Sequence, residues 1–307
     1  MSEARALSRD MSDVMVDVIM GYECNVRCDY CSIHDAQRQT NMTTAQILGE
    51  LRGAWEAGAR AAAFGGGEPT MRKDLLPLVR WCRDRGFTSV KVSSNALMYS
   101  YPDYVREAVE AGVTRFNVSL MGHTAALYEA IMRRPGMFEL AVRGVENLVA
   151  AAQRPVADLI VKRDTWEHLP AMVDFWAARG VGDFALWLVS LTDRNAAFPE
   201  SLPRVSEMRA GITGAMDRGR ALGVRVVSRH IPRCMLRGYE DHVHDLRDDR
   251  VLVVTPGSRF ALWDSVISPS TYTGRCEGCA FRGGACLGAR RDYLERWGDD
   301  ELTPYLL

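Results

Sequence analysis

Strand-like and helix-like segments alternate along the first three-quarters of this chain, and that alternation restricts its architecture more than any other feature. The stretch DVMVDVIM (13–20) is apolar and β-branched, as a buried parallel strand is. A helix is predicted from Thr43, where Thr43 and Gln46 fit a capping box and Ile47, Leu48, Leu51 and Trp55 recur at helical spacing. The pattern repeats as strand 60–65 and helix 74–85, strand 88–94 and helix 102–111, then strand 114–120 and helical segments across 124–152. Strand 157–162 with helix 166–179, and strand 183–190 with helix 204–222, complete it, several helices ending at a glycine. Six βα units in succession predict parallel strands joined by right-handed crossovers. Six is too few for an eightfold barrel, so the fold class expected is α/β, a partial (β/α)6 TIM-like barrel over 13–223. From 224 to 307 the rhythm changes: strand-like VRVVSRHIP and RVLVVTPGSRFALWD flank a charged run, a Gly- and Cys-rich stretch follows, and a short helix is expected near 289–296. This second part is too poor in apolar residues to fold well alone, and a metal staple would help it.

With 47% hydrophobic and 25% charged residues the chain has the balance of a globular protein with a large core, and its formal net charge of -1 offers no attraction for nucleic acid or an anionic membrane. The opening residues MSEARALSRDMSD are polar, and no window of about 18 apolar residues occurs, so neither a secretory signal nor a membrane span is predicted and a cytoplasmic location is expected. Disulfides are disfavoured in that compartment, so clustered cysteines read as metal ligands or reactive thiols. They form two groups, Cys24/Cys28/Cys31 and Cys234/Cys276/Cys279/Cys286, with Cys82 between them on a predicted helix, where it reads as core.

The first group reads GYECNVRCDYCSIH, a C-x3-C-x2-C spacing just beyond the first strand. Three thiolates leave one iron of a four-iron cubane without a protein ligand, which suits a chelating substrate. Zinc completed by His34, or by Cys82, is the competing reading of the spacing. A second motif, AAFGGGEPT (62–70), follows the second strand; its glycines allow close backbone approach and its carboxylate suits an ammonium group. Together these segments resemble the radical S-adenosylmethionine (SAM) superfamily, whose signature is C-x3-C-x-aromatic-C followed by Gly-Gly-Glu-Pro. The resemblance implies that Cys24, Cys28 and Cys31 hold a [4Fe-4S] cluster whose open iron chelates SAM. It implies that Tyr30 lies near the adenine and that Gly66, Gly67, Glu68 and Pro69 bind the SAM amino group. It implies reductive cleavage of SAM to a 5′-deoxyadenosyl radical that removes a hydrogen atom from substrate. SSNA (93–96) and VSLMG (118–122) stand where relatives have Thr/Ser-Asn-Gly and Ser-Leu/Ile-Asp-Gly, so Ser94, Asn95 and Ser119 are further expected SAM contacts. Ala96 replaces the usual glycine, and Met121 the usual aspartate.

Four thiolates complete either a tetrahedral zinc site or a fully ligated iron–sulfur cluster. The C-x2-C-x6-C run of Cys276, Cys279 and Cys286, followed by Gly288, resembles the C-terminal SPASM and twitch extensions, which carry auxiliary [4Fe-4S] clusters. A full SPASM domain has about seven cysteines, and four stand here, so the resemblance implies one auxiliary cluster. Cys234 is expected either to complete it or to stay free as a hydrogen-atom donor. Near the barrel mouth, His123, Lys162, Arg163, Asp193, Arg194, Arg229 and His230 fall at predicted strand ends, with His123 and Asp193 the leading substrate-facing candidates. His242 and His244, in the charged run, read as solvent-exposed.

The expected function is therefore hydrogen-atom abstraction from a peptide or natural-product substrate, with crosslinking, excision, oxidation or epimerisation as possible outcomes. A sugar or aminocyclitol dehydrogenase or epimerase is the alternative, and a non-enzymatic zinc or iron–sulfur scaffold the alternative of another class. A flavodoxin- or ferredoxin-type electron donor is implied. Only about 20 residues precede the cysteine motif, so a peptide substrate would call for a separate recognition protein.

Overall fold

The computed structural model describes residues 11–244, 249–262 and 270–306. The opening residues 1–10, read above as free of a secretory signal, and positions 263 and 264 of the last expected strand lie outside the described residues. The six expected βα units are present. They comprise β1 (Met15–Ile19), α1 (Thr44–Glu56), β2 (Ala61–Gly65), α2 (Leu75–Asp84), β3 (Ser89–Ser94), α3 (Pro102–Ala111), β4 (Arg115–Ser119) and the pair α4 (Ala125–Met132) and α5 (Met137–Ala150). Then follow β5 (Val156–Val161), α6 (Leu169–Ala177), β6 (Asp183–Leu188) and α7 (Val205–Leu222). The predicted capping box at Thr43 forms, Gln46 N donating to Thr43 Oγ1 at 3.2 Å and Thr43 N to Gln46 Oε1 at 2.8 Å.

Beyond residue 223 the chain adds β7 (Arg225–Arg229), β8 (Val243–His244), β9 (Val251–Val254), β10 (Arg259–Ala261), β11 (Ser270–Thr271), β12 (Ala289–Arg290) and α8 (Arg291–Trp297). Strands β7 to β10 join the same sheet, whose order is β10-β9-β1-β2-β3-β4-β5-β6-β7-β8, while β11 and β12 form a separate two-stranded ladder. Within the ten-stranded sheet every neighbouring pair is parallel except β9 and β10, and no described pairing joins β8 back to β10, so the barrel is open.

Alternation along the strands divides the sheet. Val16, Val18, Val90, Val92, Phe116, Val118, Leu159 and Leu186 are buried and pack with helix residues such as Ile47, Leu51 and Val79. The opposite face is polar. Lys91 Nζ lies 3.6 Å from Asp17, and Asp158 accepts from Asn117 Nδ2 at 3.1 Å and from Trp187 Nε1 at 2.9 Å. At the β7–β8 edge, Asp249 accepts from Arg229 at 2.7 Å and pairs with His244 Nε2 at 2.9 Å. His242 Nδ1 lies 2.7 Å from Val226 O, so both histidines expected in solvent are half-buried and bonded, because their segment returns to the sheet edge.

Burial alone would raise the Asp249 carboxyl, but the His244 hydrogen bond and the Arg229 charge outweigh it and hold it down at about 2. A depressed carboxylate stabilises the fold above its ordinary value and loses that contribution as pH falls through the folded value. Urea unfolding is therefore expected to lose about 2 kcal/mol more between pH 4 and 2 in the parental protein than in Asp249→Asn.

Candidate functional site

The cysteine loop leaves β1 at the carboxyl end of the strands, where barrel sites lie. Cys28 is buried, and Cys24 and Cys31 are half-buried. Burial pushes the Cys28 thiol up to about 12; a hydrogen bond from Tyr30 eases it and the nearby Cys24 and Cys31 add to it. The Cys24 thiol is raised mainly by burial, with Glu68 and Cys31 contributing. The three sulfurs therefore share one electrostatic neighbourhood, and binding a metal there is coupled to giving up protons.

The loop's carbonyls are held from several directions. Arg134 Nη1 donates to Asn25 O at 2.7 Å and Arg38 Nη1 to Val26 O at 3.0 Å. Just after β6, Arg194 Nη1 reaches Cys28 O at 3.0 Å and Cys31 O at 3.4 Å, its backbone N reaches Ser32 O at 3.1 Å, and Asn195 Nδ2 donates to Tyr30 O at 2.5 Å. Buried Lys162 ends β5 and pairs with Asp29 at 3.0 Å and with Asp164. Arg38, Arg134 and Asn195 were missed in the sequence because no local motif marks them.

The Gly-Gly-Glu-Pro segment is zipped to the same loop. Gly67 N donates to Gly21 O at 2.9 Å and Glu68 N to Glu23 O at 2.8 Å. A Cβ on Gly67 would stand 1.9 Å from Glu23 O; one on Gly66, whose φ is +122°, would stand 2.3 Å from Gly21 O. The backbone these glycines approach is thus that of the cysteine loop. The Glu68 carboxylate is likewise occupied. It accepts at Oε1 from Thr70 N at 3.1 Å, Thr70 Oγ1 at 2.5 Å and Ser94 Oγ at 2.9 Å, and at Oε2 from Asn95 N at 2.8 Å. Burial raises its pKa against the pull of these donors. These bonds tie the segment that follows β2 to the end of β3. Glu68→Gln would turn an amide NH2 against a donor and is expected to cost about 1–3 kcal/mol in urea unfolding.

Asn95 continues the knot, its Nδ2 donating to Asn25 Oδ1 at 2.8 Å and its Oδ1 accepting from Leu97 N at 3.1 Å. Ala96, where relatives have glycine, adopts φ +68°. Ser119 is half-buried at the end of β4, its carbonyl accepting from Tyr128 at 3.0 Å.

Between the cysteine loop and the ends of β5–β7 lies a cavity of about 600 Å³, lined by Tyr30, Ile160, Trp187, Val189, Asn195 and His230 among others. Asn195 is 2% exposed, and its Oδ1 has no partner among the described residues. His230, at φ +68°, is pushed down to about 3 by burial, reinforced by Arg290 and Arg229, so it is neutral near pH 7. Of the two leading substrate candidates, His123 packs its ring 5.4 Å from that of His168 and does not line this cavity. Asp193 is exposed in a short turn at φ +51°, because the turn that carries it points its successors, Arg194 and Asn195, at the cysteine loop instead. Arg163 is exposed and donates to Glu200 O at 2.6 Å.

His34 is exposed, beginning a short turn, and Cys82 is fully buried on α2 with its thiol pushed up to about 12 by burial alone. Among the described residues no three His, Cys, Asp or Glu side chains converge tightly enough for a single metal ion.

The tail cysteines do come together. Cys234, Cys276, Cys279 and Cys286 line one cavity, with Arg233, Arg275 and Arg282 and no carboxylate on its walls. Burial pushes the Cys234 thiol up to about 11, and each of the other three adds to it. The wall is fixed by Thr303 Oγ1 donating to Cys234 O at 2.8 Å and by Tyr272 donating to Cys286 O at 2.5 Å.

The radical SAM superfamily pattern matches residues 18–175, from the end of β1 to most of α6, with both motifs. The chain belongs to the radical SAM superfamily. Membership makes it an enzyme and brings with it SAM and a [4Fe-4S] cluster, for which the Cys24/Cys28/Cys31 donor set is of the right chemistry. This radical SAM chain is 30% identical over 172 residues to a probable GTP 3′,8-cyclase of Methanopyrus kandleri, covering 55% of this chain and 54% of that protein. It is 28% identical over 175 residues to an AdoMet-dependent heme synthase of Oleidesulfovibrio alaskensis, covering 56% and 45%. The chain thus spans about half the length of the curated relatives it matches. In fold it is similar to Streptococcus suis SuiB bound to S-adenosylmethionine, with a TM-score of 0.65 at 12% identity over 95% of this chain and 76% of that one. Among the described residues no helix is long and apolar enough to cross a membrane.

Proposed function

We propose that this radical SAM enzyme carries two iron–sulfur clusters and tailors a peptide or natural product by hydrogen-atom abstraction. Cys24, Cys28 and Cys31 would hold the SAM-binding cluster, and Cys234, Cys276, Cys279 and Cys286 one auxiliary [4Fe-4S] cluster of the SPASM/twitch kind. The division follows the sequence: 13–223 as the radical SAM barrel and 224–307 as the auxiliary part, which also lends β7–β10 to the sheet. Bound SAM and its cluster supply reductive cleavage of the sulfonium and removal of a hydrogen atom from substrate.

The chain's own residues do the rest. The arginine and Asn195 contacts hold the cysteine loop at one span, Tyr30, Ile160 and Val189 offer apolar walls to a cavity for the adenosyl group, and Ser94 and Asn95 tie the end of β3 to Glu68 and Asn25. The observation that carries the two-cluster reading is the single cavity lined by all four tail cysteines. It favours Cys234 as a ligand over Cys234 as a free hydrogen-atom donor, and so favours oxidation or crosslinking over epimerisation.

Anaerobic reconstitution is expected to give about eight irons per chain, and Cys276→Ala/Cys279→Ala about half of that. The double variant should still form 5′-deoxyadenosine while losing product; stoichiometric zinc, or undiminished iron, would overturn the auxiliary cluster. A nucleotide substrate is the second reading, favoured by the relatives named GTP 3′,8-cyclase. Consumption of GTP with SAM and reductant would establish it over tailoring. An electron donor is needed in either case, and a peptide substrate would bring a separate recognition protein.

A further inference from the structure

The cavity between the cysteine loop and the ends of β5–β7 has walls of two kinds. Tyr30, Ile160 and Val189 are assigned above to the adenosyl group, while Asn195 and His230 are polar and only partly used by the chain. Asn195 is nine-tenths buried and more, and it donates its amide to Tyr30 O at 2.5 Å, yet its Oδ1 accepts from nothing among the described residues. A buried acceptor without a donor is costly, and a ligand that supplies the donor removes the cost. The His230 ring stands 5.4 Å from that of Trp187, and neither ring nitrogen has a hydrogen bond among the described residues. Its backbone holds φ +68°, a conformation that costs energy outside glycine and recurs at ligand sites. Burial keeps the imidazole neutral near pH 7, so one ring nitrogen donates and the other accepts. The charges around the cavity are spent. Arg290 on its wall is held by Asp292 at 2.9 Å and Leu188 O at 2.8 Å. Arg229, 4.9 Å from the Trp187 ring, pairs with Asp249 at 2.7 Å.

We propose that Asn195 and His230 seat an uncharged amide of the substrate, its N–H donating to Asn195 Oδ1 and its C=O accepting from the His230 ring. The proposal rests on the tailoring reading above and narrows it: the group held beside the adenosyl cavity is a peptide bond or the amide of a natural product. An amide carries one donor and one acceptor side, which is what these two residues leave open, and the Trp187 ring gives it an apolar face to lie against. A carboxylate only accepts, so it would turn an oxygen against Asn195 Oδ1 and meet no unpaired cation on the walls. A nucleoside triphosphate is disfavoured for the same reason, since its phosphates call for arginine or lysine free of carboxylates.

The test offers the reconstituted full chain two carbon-deuterated probes that differ in one group, N-acetylalaninamide and N-acetylalanine, with SAM and dithionite. Deuterium carried into 5′-deoxyadenosine, read by mass spectrometry, reports which probe sits beside the adenosyl group. In that transfer a C–D bond of the probe breaks, a C–D bond of 5′-deoxyadenosine forms, and the unpaired electron passes to the probe carbon. The amide is expected to deliver about tenfold more deuterium than the acid. His230→Phe should bring the ratio towards one. His230→Asn keeps an N–H donor, tolerates the left-handed backbone and should keep most of the ratio. A second readout needs no turnover: diethyl pyrocarbonate modifies neutral imidazoles, and the amide, but neither the acid nor GTP, should slow its reaction at His230. As much deuterium from the acid as from the amide, deuterium from neither, or protection of His230 by GTP overturns the amide site. So does an Asn195→Ala variant that loses SAM affinity with its probe ratio intact. Failure of the radical SAM reading registers separately, as no 5′-deoxyadenosine from the parental protein with either probe.

Discussion

Cys28→Ala is expected to abolish 5′-deoxyadenosine formation while the protein stays folded and keeps the iron of its second cysteine group. Cys28 is the most buried of the loop's three cysteines, and its sulfur sits between Tyr30 and Met132. Partners that merely orient a metal ligand are worth about 10–100-fold in metal affinity or activity, so removing the ligand itself should cost more than either. Reconstitution followed by iron analysis and chromatography of the SAM cleavage products measures both halves of the prediction. Cys82→Ala is the control. Its sulfur is fully buried away from the loop, so the substitution should leave iron and SAM cleavage intact. Retention of cleavage activity by Cys28→Ala would remove the basis for the site described above.

Gly67→Ala should be the most damaging single methyl group added to the chain. Nothing at the position is flexible enough to move: the new Cβ would meet the Glu23 carbonyl at 1.9 Å and its carbon at 2.6 Å, both backbone. Overpacking costs about 1–3 kcal/mol where neighbours can shift, and more where they cannot. Relief requires separating the two loops, which also breaks the Gly67–Gly21 and Glu68–Glu23 hydrogen bonds. The expected result is a loss of about 3 kcal/mol or more in urea unfolding, with iron content at the cysteine loop falling alongside. Gly49→Ala offers the contrast. Gly49 lies in α1 with nothing within 4 Å of its would-be Cβ, and alanine there should stabilise by up to about 1 kcal/mol.

The elements were legible in the sequence because each is local. Alternating apolar positions, the Thr43 capping box and glycine stops mark β1 to α7 to within a few residues. The cysteine and Gly-Gly-Glu-Pro motifs were legible too, but their physical reasons were only half so. Glycines permit close approach, and the sequence does not say to what; here it is the backbone of residues 21–23. The arginine and asparagine hold on the loop was illegible, since Arg194 reaches Cys28 across 166 positions and Arg134 reaches Asn25 across 109. Asp193 ranked above Arg194 as a site residue on strand-end position alone, and the turn directed the other side chain inward. His242 and His244 read as exposed because nothing local indicates that a charged segment will pair with a sheet edge 15 or more residues earlier.

The sheet order has a consequence in time. Strand β1, which launches the cysteine loop, is flanked by β2 on one side and by β9 on the other, with Met15 opposite both Ala61 and Val251. The first of these neighbours is made early in synthesis and the second only after most of the chain has emerged. Pairings between such distant segments are slow to form, because the loop must close before any contact repays it. The nascent cysteine loop therefore spends most of translation on a strand with one bare edge, its Arg194 hold not yet synthesised. Loading of iron and sulfide at the loop is expected to follow synthesis of Arg194 and of β9.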